Sequence, residues 1–372
     1  MKKKVLLTAG GTGGHLFPAQ ALAGELVRRG WVVELATDER ADKYGASFPA
    51  SATHIISSAT IRGKNPVALA RTALKLARGY FQARKVLNGF HPDVVVGFGG
   101  YPTFPPMYAA KAARIPTVLH EANGVMGRAN KLLAKGATAI ATSMSMENID
   151  RDLLDKMVET GNPVREAVIA ASGRPYAPSE DGGPLHLLVF GGSQGARVFS
   201  NILPDALKIL PEPDRKRIRL VQQCRPEDLE RVERACKELG IAAELGSFFA
   251  DMPERIAASH LVICRSGASS VCELAVLGRP SILVPLPGAI DQDQAANARL
   301  LEKAGGAWPI REVDLTPERL AKELQRFLNA PEMLATAAAR ALEAGKPDAV
   351  VQLADLVERI AGKTAKDEGD GA

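Results

Sequence analysis

The sequence predicts an α/β fold of two similar halves, each a doubly wound parallel sheet of the Rossmann type. Two glycine-rich turns, at residues 10–15 and 191–196, lie about 180 residues apart, and each follows a short apolar run. The chain of 372 residues is long enough for two domains, each with its own core. Two such turns in equivalent places predict two α/β domains that face each other across a cleft.

In the first half, short apolar runs alternate with helical patterns. A helix after the first glycine turn is expected to start near Pro18, because Ala21, Leu22 and Leu26 follow at helical spacing. Such alternation is typical of a parallel sheet with helices on both faces. The predicted strands occupy residues 5–7, 32–35, 94–96, 117–119 and 139–141.

The second half repeats this pattern. Residues 171–184 are rich in Pro, Gly and Ser and predict a surface loop. The domain boundary is placed at residues 161–163, which gives a first domain of residues 1–162 and a second of residues 163–346. The predicted strands of the second half occupy residues 187–190, 220–221, 261–264 and 281–284.

The end of the chain predicts two helices and a polar tail. Thr316 and Pro317 suit the cap and the first residue of a helix. Apolar residues at helical spacing predict a last helix over residues 347–361. Residues 362–372 are polar and are expected to be disordered.

The composition is that of a globular protein. Hydrophobic residues make up 46% of the chain, and no apolar run approaches the roughly 20 residues that span a bilayer. The lysines after Met1 are followed by only three apolar residues, fewer than the about 7–15 of an export signal. Four cysteines without Cys-x-x-Cys spacing predict buried, reduced thiols in a cytoplasmic protein and no metal site. They are Cys224, Cys236, Cys264 and Cys272.

The net charge of +5 is unevenly distributed along the chain. No acidic residue lies between Asp42 and Asp93, and such a local excess of cations favours an anionic partner, either phosphate-bearing lipid or nucleic acid. Nucleic acid is not expected, because no aromatic stacking platform or recognition helix accompanies the charges. The cations of this stretch are Lys43, Arg62, Lys64, Arg71, Lys75, Arg78, Arg84 and Lys85.

Within the same stretch, apolar residues alternate with these cations. An apolar strip flanked by Arg71, Lys75, Arg78 and Lys85 is the pattern of a helix that lies on a membrane surface. The alternative is a helix packed on its own sheet with a solvated basic face. The apolar residues are Val67, Leu69, Leu74, Leu76, Tyr80 and Phe81.

The first glycine turn holds more glycine than a tight strand-to-helix connection requires. Four glycines within residues 10–14 favour close approach of backbone N–H groups to a ligand over a plain turn. The segment lacks a following Gly-Lys-Ser/Thr and does not fit Gly-x-Gly-x-x-Gly. His15 lies at the helix start, where the positive dipole end keeps an imidazole neutral and able to accept a proton. A simple helix-start contact is the alternative.

Two segments of the second half predict a phosphate and ribose site. The amides of residues 191–196 and the Ser193 hydroxyl suit a phosphate. Residues 264–273 also run from a strand through a Ser/Gly turn into a helix. Glu273, about two turns into that helix, is placed to hold two ribose hydroxyls. A solvated helix face is the alternative for Glu273.

Two further polar segments each follow a predicted strand of the first half. They are residues 99–103 and residues 120–124. In open α/β sheets, residues just past the carboxyl ends of strands line the ligand crevice. Ordinary loop hydrogen bonding is the alternative, but several polar segments at neighbouring strand ends favour a site.

Together these segments resemble the MurG family of bacterial N-acetylglucosaminyltransferases, which convert lipid I to lipid II in peptidoglycan synthesis. The segments are GGTGGH, GGYPTFP, HEANG with GNPVR, GGSQGA, and CRSGASSVCE with the later DQDQ. The resemblance implies the GT-B glycosyltransferase fold. It also implies an acceptor- and membrane-binding domain of residues 1–162, joined by the helix 347–361, and a UDP-GlcNAc-binding domain of residues 163–346.

The same resemblance implies roles for individual residues. It implies that His15 lines the cleft, and the chemistry of a neutral imidazole makes His15 the first candidate for the general base, with Tyr101 and Glu121 as lesser candidates. Residues expected to contact UDP-GlcNAc are Thr12, Gly13, Gly14, Asn123, Arg165, Ser193, Phe249, Arg265, Ala268, Ser269, Glu273 and Gln294. The chain departs from the family pattern at Thr103, Phe104, Ala122 and Asp293.

The activity implied is inverting transfer of GlcNAc from UDP-GlcNAc to the 4-hydroxyl of MurNAc in lipid I. Neither cofactor nor metal is expected, since the phosphate turns at residues 191–196 and 264–273 contain no Asp-x-Asp cluster. The implied partners are UDP-GlcNAc, lipid I, an anionic membrane surface and other cell-wall synthesis proteins, at the cytoplasmic face of the plasma membrane. The alternatives are another GT-B transferase acting on a glycolipid, a sugar-nucleotide 2-epimerase, and a non-catalytic UDP-sugar-binding scaffold.

Overall fold

The computed structural model describes residues 2–10, 13–39, 48–59, 65–146, 149–180, 182–192, 195–288 and 293–367. The chain divides into two compact units, Met1–Arg165 with Pro347–Ala372, and Glu166–Lys346. Each unit is built on a parallel sheet with helices on its faces, which confirms the predicted fold class.

The sheet of the first unit has, within the described residues, seven parallel strands in the order β3-β2-β1-β4-β5-β6-β7. They are β1 (Lys4–Thr8), β2 (Val32–Thr37), β3 (Ala52–Ile55), β4 (Val94–Gly97), β5 (Thr117–Glu121), β6 (Ala139–Thr142) and β7 (Met157–Glu159). The five predicted strands are confirmed. The two edge strands, β3 and β7, escaped prediction because they are short and only half-buried, and so lack an apolar run.

Helices cover both faces of this sheet. They are α1 (Gly13–Arg28), α2 (Pro66–Phe90), α3 (Phe104–Ala112), α4 (Arg128–Ala134) and α5 (Arg151–Leu154). The predicted start of α1 near Pro18 is wrong, since the helix begins at Gly13. Proline has a helical φ, and near a helix start it removes a single intrahelical bond, so the helix can begin before it.

The sheet of the second unit has, over the described part of the chain, six parallel strands in the order β10-β9-β8-β11-β12-β13. They are β8 (Leu185–Phe190), β9 (Ile218–Gln223), β10 (Ala242–Gly246), β11 (Leu261–Cys264), β12 (Ser281–Leu283) and β13 (Ala307–Pro309). Its helices are α6 (Glu166–Ala171), α7 (Arg197–Ile209), α8 (Glu212–Arg217), α9 (Leu229–Glu238), α10 (Met252–Ala258), α11 (Ala268–Leu277), α12 (Asp293–Ala304), α13 (Pro317–Asn329) and α14 (Pro331–Glu343). The loop predicted before β8 follows α6, and edge strands β10 and β13 were missed.

Several local predictions are confirmed. Helix α13 begins at Pro317, and the Thr316 side chain accepts a hydrogen bond from the Arg319 N–H. All four cysteines are free and buried. Among the described residues, no helix has the length and apolar character needed to cross a bilayer.

The last helix, α15 (Ala349–Asp367), belongs to the first unit and packs against α1. Arg29 donates to Asp355 Oδ1 at 2.6 Å and to Glu358 Oε2 at 2.9 Å, and Trp31 Nε1 donates to Glu358 Oε1 at 3.0 Å. The helix continues to Asp367, so the disorder expected from residue 362 is wrong for residues 362–367, and residues 368–372 lie outside the described residues. Polar residues extend an existing helix because each added residue gains a backbone hydrogen bond.

The packing of α15 predicts a large effect of truncating Leu353, which is fully buried in the first core. Leu353→Ala should lower the free energy of unfolding of the first unit by about 2–5 kcal/mol, because it leaves a cavity. Urea unfolding followed by Trp31 fluorescence in a Trp308→Phe background reports on this unit. Val351→Ala on the exposed side of α15 is the matched control and should change stability by less than about 0.5 kcal/mol. Equal effects of the two changes would contradict this packing.

Candidate functional site

In the first unit, three glycines surround the imidazole of His15. A Cβ added at Gly10, Gly99 or Gly100 would lie 3.4, 3.3 and 3.3 Å, respectively, from the nearest atom of the His15 ring. Gly99 and Gly100 have φ values of +86° and +77°, and the Gly10 N–H donates to the Gly99 carbonyl at 3.3 Å. We call Gly10, Gly99 and Gly100 the glycine cradle. It lies just past the carboxyl ends of β1 and β4, where an α/β sheet binds its ligand.

Tyr101 and Thr103 follow the cradle directly in a short 3-10 turn. Tyr101 is half-buried. Thr103 is fully buried, and its hydroxyl lies 2.7 Å from the Gly99 carbonyl and 3.2 Å from the Thr8 carbonyl. Thr103, one of the departures from the family pattern, therefore fastens the end of β4 to the end of β1.

The sequence predicts a ligand-site segment at residues 120–124, but it gives no separate role to His120, which lies at the end of β5. Its ring lies against Phe98 with centroids 5.2 Å apart, and Nε2 is 3.5 Å from Ser143 Oγ. Burial lowers the pKa of His120 to about 4; the Gly161 backbone acts in the opposite direction, and the charge of His15 lowers the pKa further. A neutral imidazole therefore stands beside His15 at neutral pH.

Glu121 is an anchor for the loop that follows β5. Its Oε1 accepts from the Asn123 N–H at 3.0 Å and from Asn123 Nδ2 at 3.1 Å. Its Oε2 accepts from the Gly127 N–H at 2.9 Å and from Asn130 Nδ2 at 2.7 Å. The carboxyl is buried, and burial raises its pKa. Because both oxygens are occupied by the loop, this geometry favours a positioning role for Glu121 over that of the general base.

The other site residues predicted in this unit are spread along α1 and the end of the unit. Gly13 and Gly14 open α1, and Thr12 lies outside the described residues. Arg165 places its guanidinium 5.1 Å from the centre of the Phe17 ring of α1. The first unit thus brings His15, Tyr101 and the β5 loop to one edge of its sheet.

In the second unit, the turn after β8 has a backbone shape that requires glycine. A Cβ at Gly191 would lie 2.1 Å from the Ala196 nitrogen, and Gly192 and Gly195 have φ values of +85° and +69°. The Gly191 N–H donates to Gln223 Oε1 at 3.3 Å, which links the turn to the end of β9. The turn leads into α7, and Ser193 itself lies outside the described residues.

The Ser/Gly turn after β11 opens helix α11, whose N-terminal cap is Gly267. Ala268 is buried, and Ser269 Oγ is buried without a hydrogen-bond partner among the described residues. Glu273 is 6% exposed, so its alternative interpretation as a residue on a solvated helix face is wrong. Burial raises the pKa of the Cys264 thiol, and the charge of Glu273 raises it further. A buried hydroxyl and a buried carboxylate therefore lie on the first turns of one helix.

Hydrogen bonds fasten the beginning of α12 to this turn. Ser266 Oγ donates to the Gln294 carbonyl at 2.8 Å, and Asn297 Nδ2 donates to the Ser266 carbonyl at 3.1 Å. Gln294 Oε1 accepts from the Leu286 N–H at 3.0 Å. Asp293 Oδ1 accepts from the Gln294 N–H at 3.0 Å. Gln294 is therefore held where β11 and β12 end.

Arg265 acts as a brace within the unit. Its guanidinium donates to the carbonyls of Val284 and Pro285 at 3.2 and 3.3 Å and pairs with Glu312. Because its side chain is engaged in this way, Arg265 contributes mainly its backbone to the Ser/Gly turn.

Phe249, after β10, is half-buried, and its ring lies 3.0 Å from a Cβ added at Gly246. The Arg255 guanidinium stands 4.3 Å from the centre of that ring. Phe249, Ser269, Glu273 and Gln294 thus all follow carboxyl ends of strands in the second sheet.

Sequence comparisons match each unit to one domain type. Residues 5–142 match the glycosyltransferase family 28 N-terminal domain, and residues 186–353 match the glycosyltransferase family 28 C-terminal domain. A relative from Chelativorans sp. is 55% identical over 359 residues, 96% of either chain, and one from Brucella canis is 52% identical over 99% of this chain and 97% of its own. Both are named UDP-N-acetylglucosamine--N-acetylmuramyl-(pentapeptide) pyrophosphoryl-undecaprenol N-acetylglucosamine transferase.

Solved structures agree with this at the level of the fold. The crystal structure of MurG from Acinetobacter baumannii has a TM-score of 0.79 and 27% identity, covering 96% of this chain and 99% of its own. A UDP-GlcNAc 2-epimerase from Neisseria meningitidis has a TM-score of 0.67 at 16% identity, covering 96% of this chain and all of its own. The second likeness shows a shared fold alone.

The lowered pKa of His120 predicts a pH dependence of stability. Between its ordinary value of 6.5 and about 4, the unfolded chain binds a proton that the native chain does not. The unfolding free energy should therefore fall as the pH drops through this range, by up to about 3 kcal/mol more than in His120→Gln. Urea unfolding of both proteins at several pH values measures the difference. Parallel curves for the two proteins would contradict a buried neutral imidazole.

Proposed function

The chain belongs to glycosyltransferase family 28, and on this premise we propose that it transfers N-acetylglucosamine from UDP-N-acetylglucosamine to lipid I, forming lipid II. Lipid I is N-acetylmuramyl-(pentapeptide) pyrophosphoryl-undecaprenol. The observation that carries the proposal is the agreement, along nearly the whole chain, with transferases named for this reaction. The fold is GT-B, with two Rossmann-like domains.

The donor is proposed to bind mainly to the second unit. The buried Ser269 hydroxyl and the N-terminus of α11 suit the diphosphate, together with Ala268, the turn at residues 191–196 and Ser193. Glu273 is proposed to hold the ribose hydroxyls. Arg265 is proposed to contribute through its backbone, because its guanidinium is engaged elsewhere.

Further groups are proposed to contact the uracil, the sugar and the diphosphate of the donor. The backbone near Phe249 forms hydrogen bonds to the edge of the uracil ring. Gln294 contacts the GlcNAc hydroxyls through its amide nitrogen, because its Oε1 is taken by the Leu286 N–H. Asn123 contacts the same sugar, and Arg165 contacts the diphosphate. Thr12, Gly13 and Gly14 line the place of transfer.

His15 is proposed as the general base for the acceptor hydroxyl. As the 4-hydroxyl oxygen bonds to the anomeric carbon, the bond to UDP breaks on the opposite face and the hydroxyl proton passes to the imidazole. The negative charge on UDP is stabilised by amides and helix N-termini. Tyr101 is the remaining candidate for the base, and Glu121 is proposed to position the β5 loop.

The transfer itself is tested by measuring UDP release from UDP-GlcNAc with and without a lipid I analogue. Rapid UDP release that requires the analogue, with one GlcNAc added to it per UDP, is expected. Conversion of the donor to its 2-epimer without an acceptor would instead identify an epimerase. Donor binding with neither product would identify a UDP-sugar-binding scaffold.

The proposed donor site predicts a specific loss on removing the Glu273 carboxylate. Glu273→Ala should weaken UDP-GlcNAc binding by about 1.5–3 kcal/mol, the range for a hydrogen bond to a charged group. Isothermal calorimetry measures the affinity, and thermal unfolding reports any damage to the fold. Glu302→Ala, at an exposed position on α12, is the control. Wild-type affinity in Glu273→Ala would remove this residue from the site.

Helix α2 is proposed to hold the protein on the cytoplasmic face of the plasma membrane. Leu74 is 73% exposed and Phe81 is 67% exposed, while Leu69 and, on α3, Tyr108 are 42% and 53% exposed. Of the strip expected from the sequence, Leu76 and Tyr80 are half-buried, and Tyr80 packs against the core, so these two do not belong to it. The side chain of Val67 lies outside the described part.

The cations of α2 complete this proposed surface. Arg71, Lys75, Arg78 and Lys85 are exposed on the same helix. Lys43, Arg62 and Lys64 lie outside the described residues. Each cation near an anionic leaflet contributes roughly 1 kcal/mol, so several support reversible attachment.

The membrane surface predicts that its apolar side chains drive binding to vesicles. Replacing both Leu74 and Phe81 by Ser should weaken binding to anionic vesicles about tenfold or more, because burial of two large side chains is lost. Co-sedimentation across a salt series measures this. Val313→Ser alters an equally exposed side chain, 75% exposed, in the second unit and should bind as the wild type does. Wild-type binding by the α2 variant would overturn the proposal.

A further inference from the structure

A cavity of about 510 Å³ lies beside Tyr101 in the first unit. Its walls come from the segments that follow β2 and β3 and from α2. We call this cavity the α2 pocket. The residues that define it are Asp38, Glu39, Ser57, Lys75, Arg78 and Tyr101. Its volume falls within the range of about 300–1,000 Å³ that is typical of small-ligand sites.

Close packing of α2 on the segment after β3 builds the wall of this pocket. A Cβ added at Gly79 would lie 2.0 Å from the Ser57 carbonyl oxygen, so α2 approaches the backbone there as only glycine allows. The Ser57 N–H donates to Gln82 Oε1 at 2.8 Å. This contact fixes the stretch of α2 that carries Lys75 and Arg78. Both cations are exposed and neither forms an ion pair with another described residue, so both are available to a ligand.

The charges of the pocket indicate the kind of ligand that it holds. Lys75 and Arg78 attract anions, whereas the exposed Glu39 carboxylate on the same pocket repels them. A wholly anionic group such as a diphosphate therefore gains less from such a site than a group that also carries N–H donors. A peptide, with its terminal carboxylate and its backbone N–H groups, matches both kinds of charge.

The position of the pocket indicates which part of the acceptor reaches it. Tyr101 lines the pocket and directly follows Gly100 of the cradle, which surrounds His15. In lipid I the pentapeptide is attached to the N-acetylmuramyl sugar, whose hydroxyl is the proposed nucleophile. A sugar at the cradle therefore carries its peptide within reach of the neighbouring pocket.

We propose that the α2 pocket binds the peptide of the acceptor, with Lys75 and Arg78 paired to its terminal carboxylate and Glu39 facing its backbone N–H groups. This inference rests on the proposed function and adds to it a site that selects acceptors by their peptide. It separates the cations of α2 into those that line the pocket, Lys75 and Arg78, and those that do not, Arg71, Arg84 and Lys85.

The test compares two water-soluble, short-chain acceptors, one with the pentapeptide and one without it, in the absence of vesicles. Lys75→Ala combined with Arg78→Ala should raise the KM for the peptide-bearing acceptor about tenfold or more. The KM for the peptide-free acceptor and the KM for UDP-GlcNAc should stay unchanged. Arg84→Ala removes an exposed arginine of the same helix outside the pocket and should leave all three values unchanged. Thermal unfolding checks that each variant is folded.

Two results would overturn the proposal. An equal rise in KM for both acceptors would assign the cations to the diphosphate, and an unchanged KM for both would remove the pocket from acceptor binding. If the wild type releases no UDP with either acceptor, the proposed function is wrong. Titration of the protein with the free pentapeptide then tests peptide binding by the pocket independently. Saturable peptide binding that is lost in the double variant supports the pocket, and its absence from the wild type overturns it.

Discussion

The candidate site of the first unit depends on how closely the backbone approaches the His15 ring. A Cβ added at any of the three glycines of the cradle would lie only 3.3–3.4 Å from the imidazole and would press on the ring. Gly99 and Gly100 also have φ values that favour glycine. Their place is secured by the buried Thr103 hydroxyl, which joins the ends of β1 and β4. The imidazole is thus oriented by rigid backbone, which is what a group that receives a proton in a transition state requires.

The second unit also depends on glycine to let the backbone approach closely, here at the proposed phosphate site. Its turn after β8 closes so tightly at Gly191 that a side chain would overlap Ala196. Strand ends then add Ser269 and Glu273, which are far from that turn in sequence but belong to the same edge of the sheet. The buried Ser269 hydroxyl has no hydrogen-bond partner among the described residues, which is costly unless a ligand compensates it. A ligand with phosphate oxygens supplies such a partner.

The sequence was sufficient for the features that depend on burial and periodicity. Strands with continuous apolar runs, such as β4, and the capped start of α13 could be predicted, because local residues determine them. The edge strand β10 could not, since its residues are largely exposed and its pairing with β9 is decided by tertiary contacts. The predicted start of α1 near Pro18 is wrong, because a proline close to the beginning of a helix does not have to be its first residue.

The site shows the same division between local and tertiary information. The glycine turns and the segment with Glu121 were recognisable as motifs. The engagement of both Glu121 oxygens by its own loop, and of Arg265 by carbonyls after β12, depends on residues distant in sequence. The same holds for the burial of Glu273 and for the α2 pocket, which exists because Gly79 lets a helix rest on Ser57.

If the cradle orients His15 for its part in the reaction, Gly100→Ala should impair catalysis more than a change that strains the backbone elsewhere. The new methyl group would press on the His15 ring and on Gly10, and Gly30→Ala is the matched control, since its φ of +85° is equally strained but nothing lies within 4 Å. Both variants should lose similar stability, while kcat with UDP-GlcNAc and a lipid I analogue should fall about tenfold or more in Gly100→Ala alone, because a displaced catalytic group is costly. Equal kcat values for the two variants would contradict this role of the cradle.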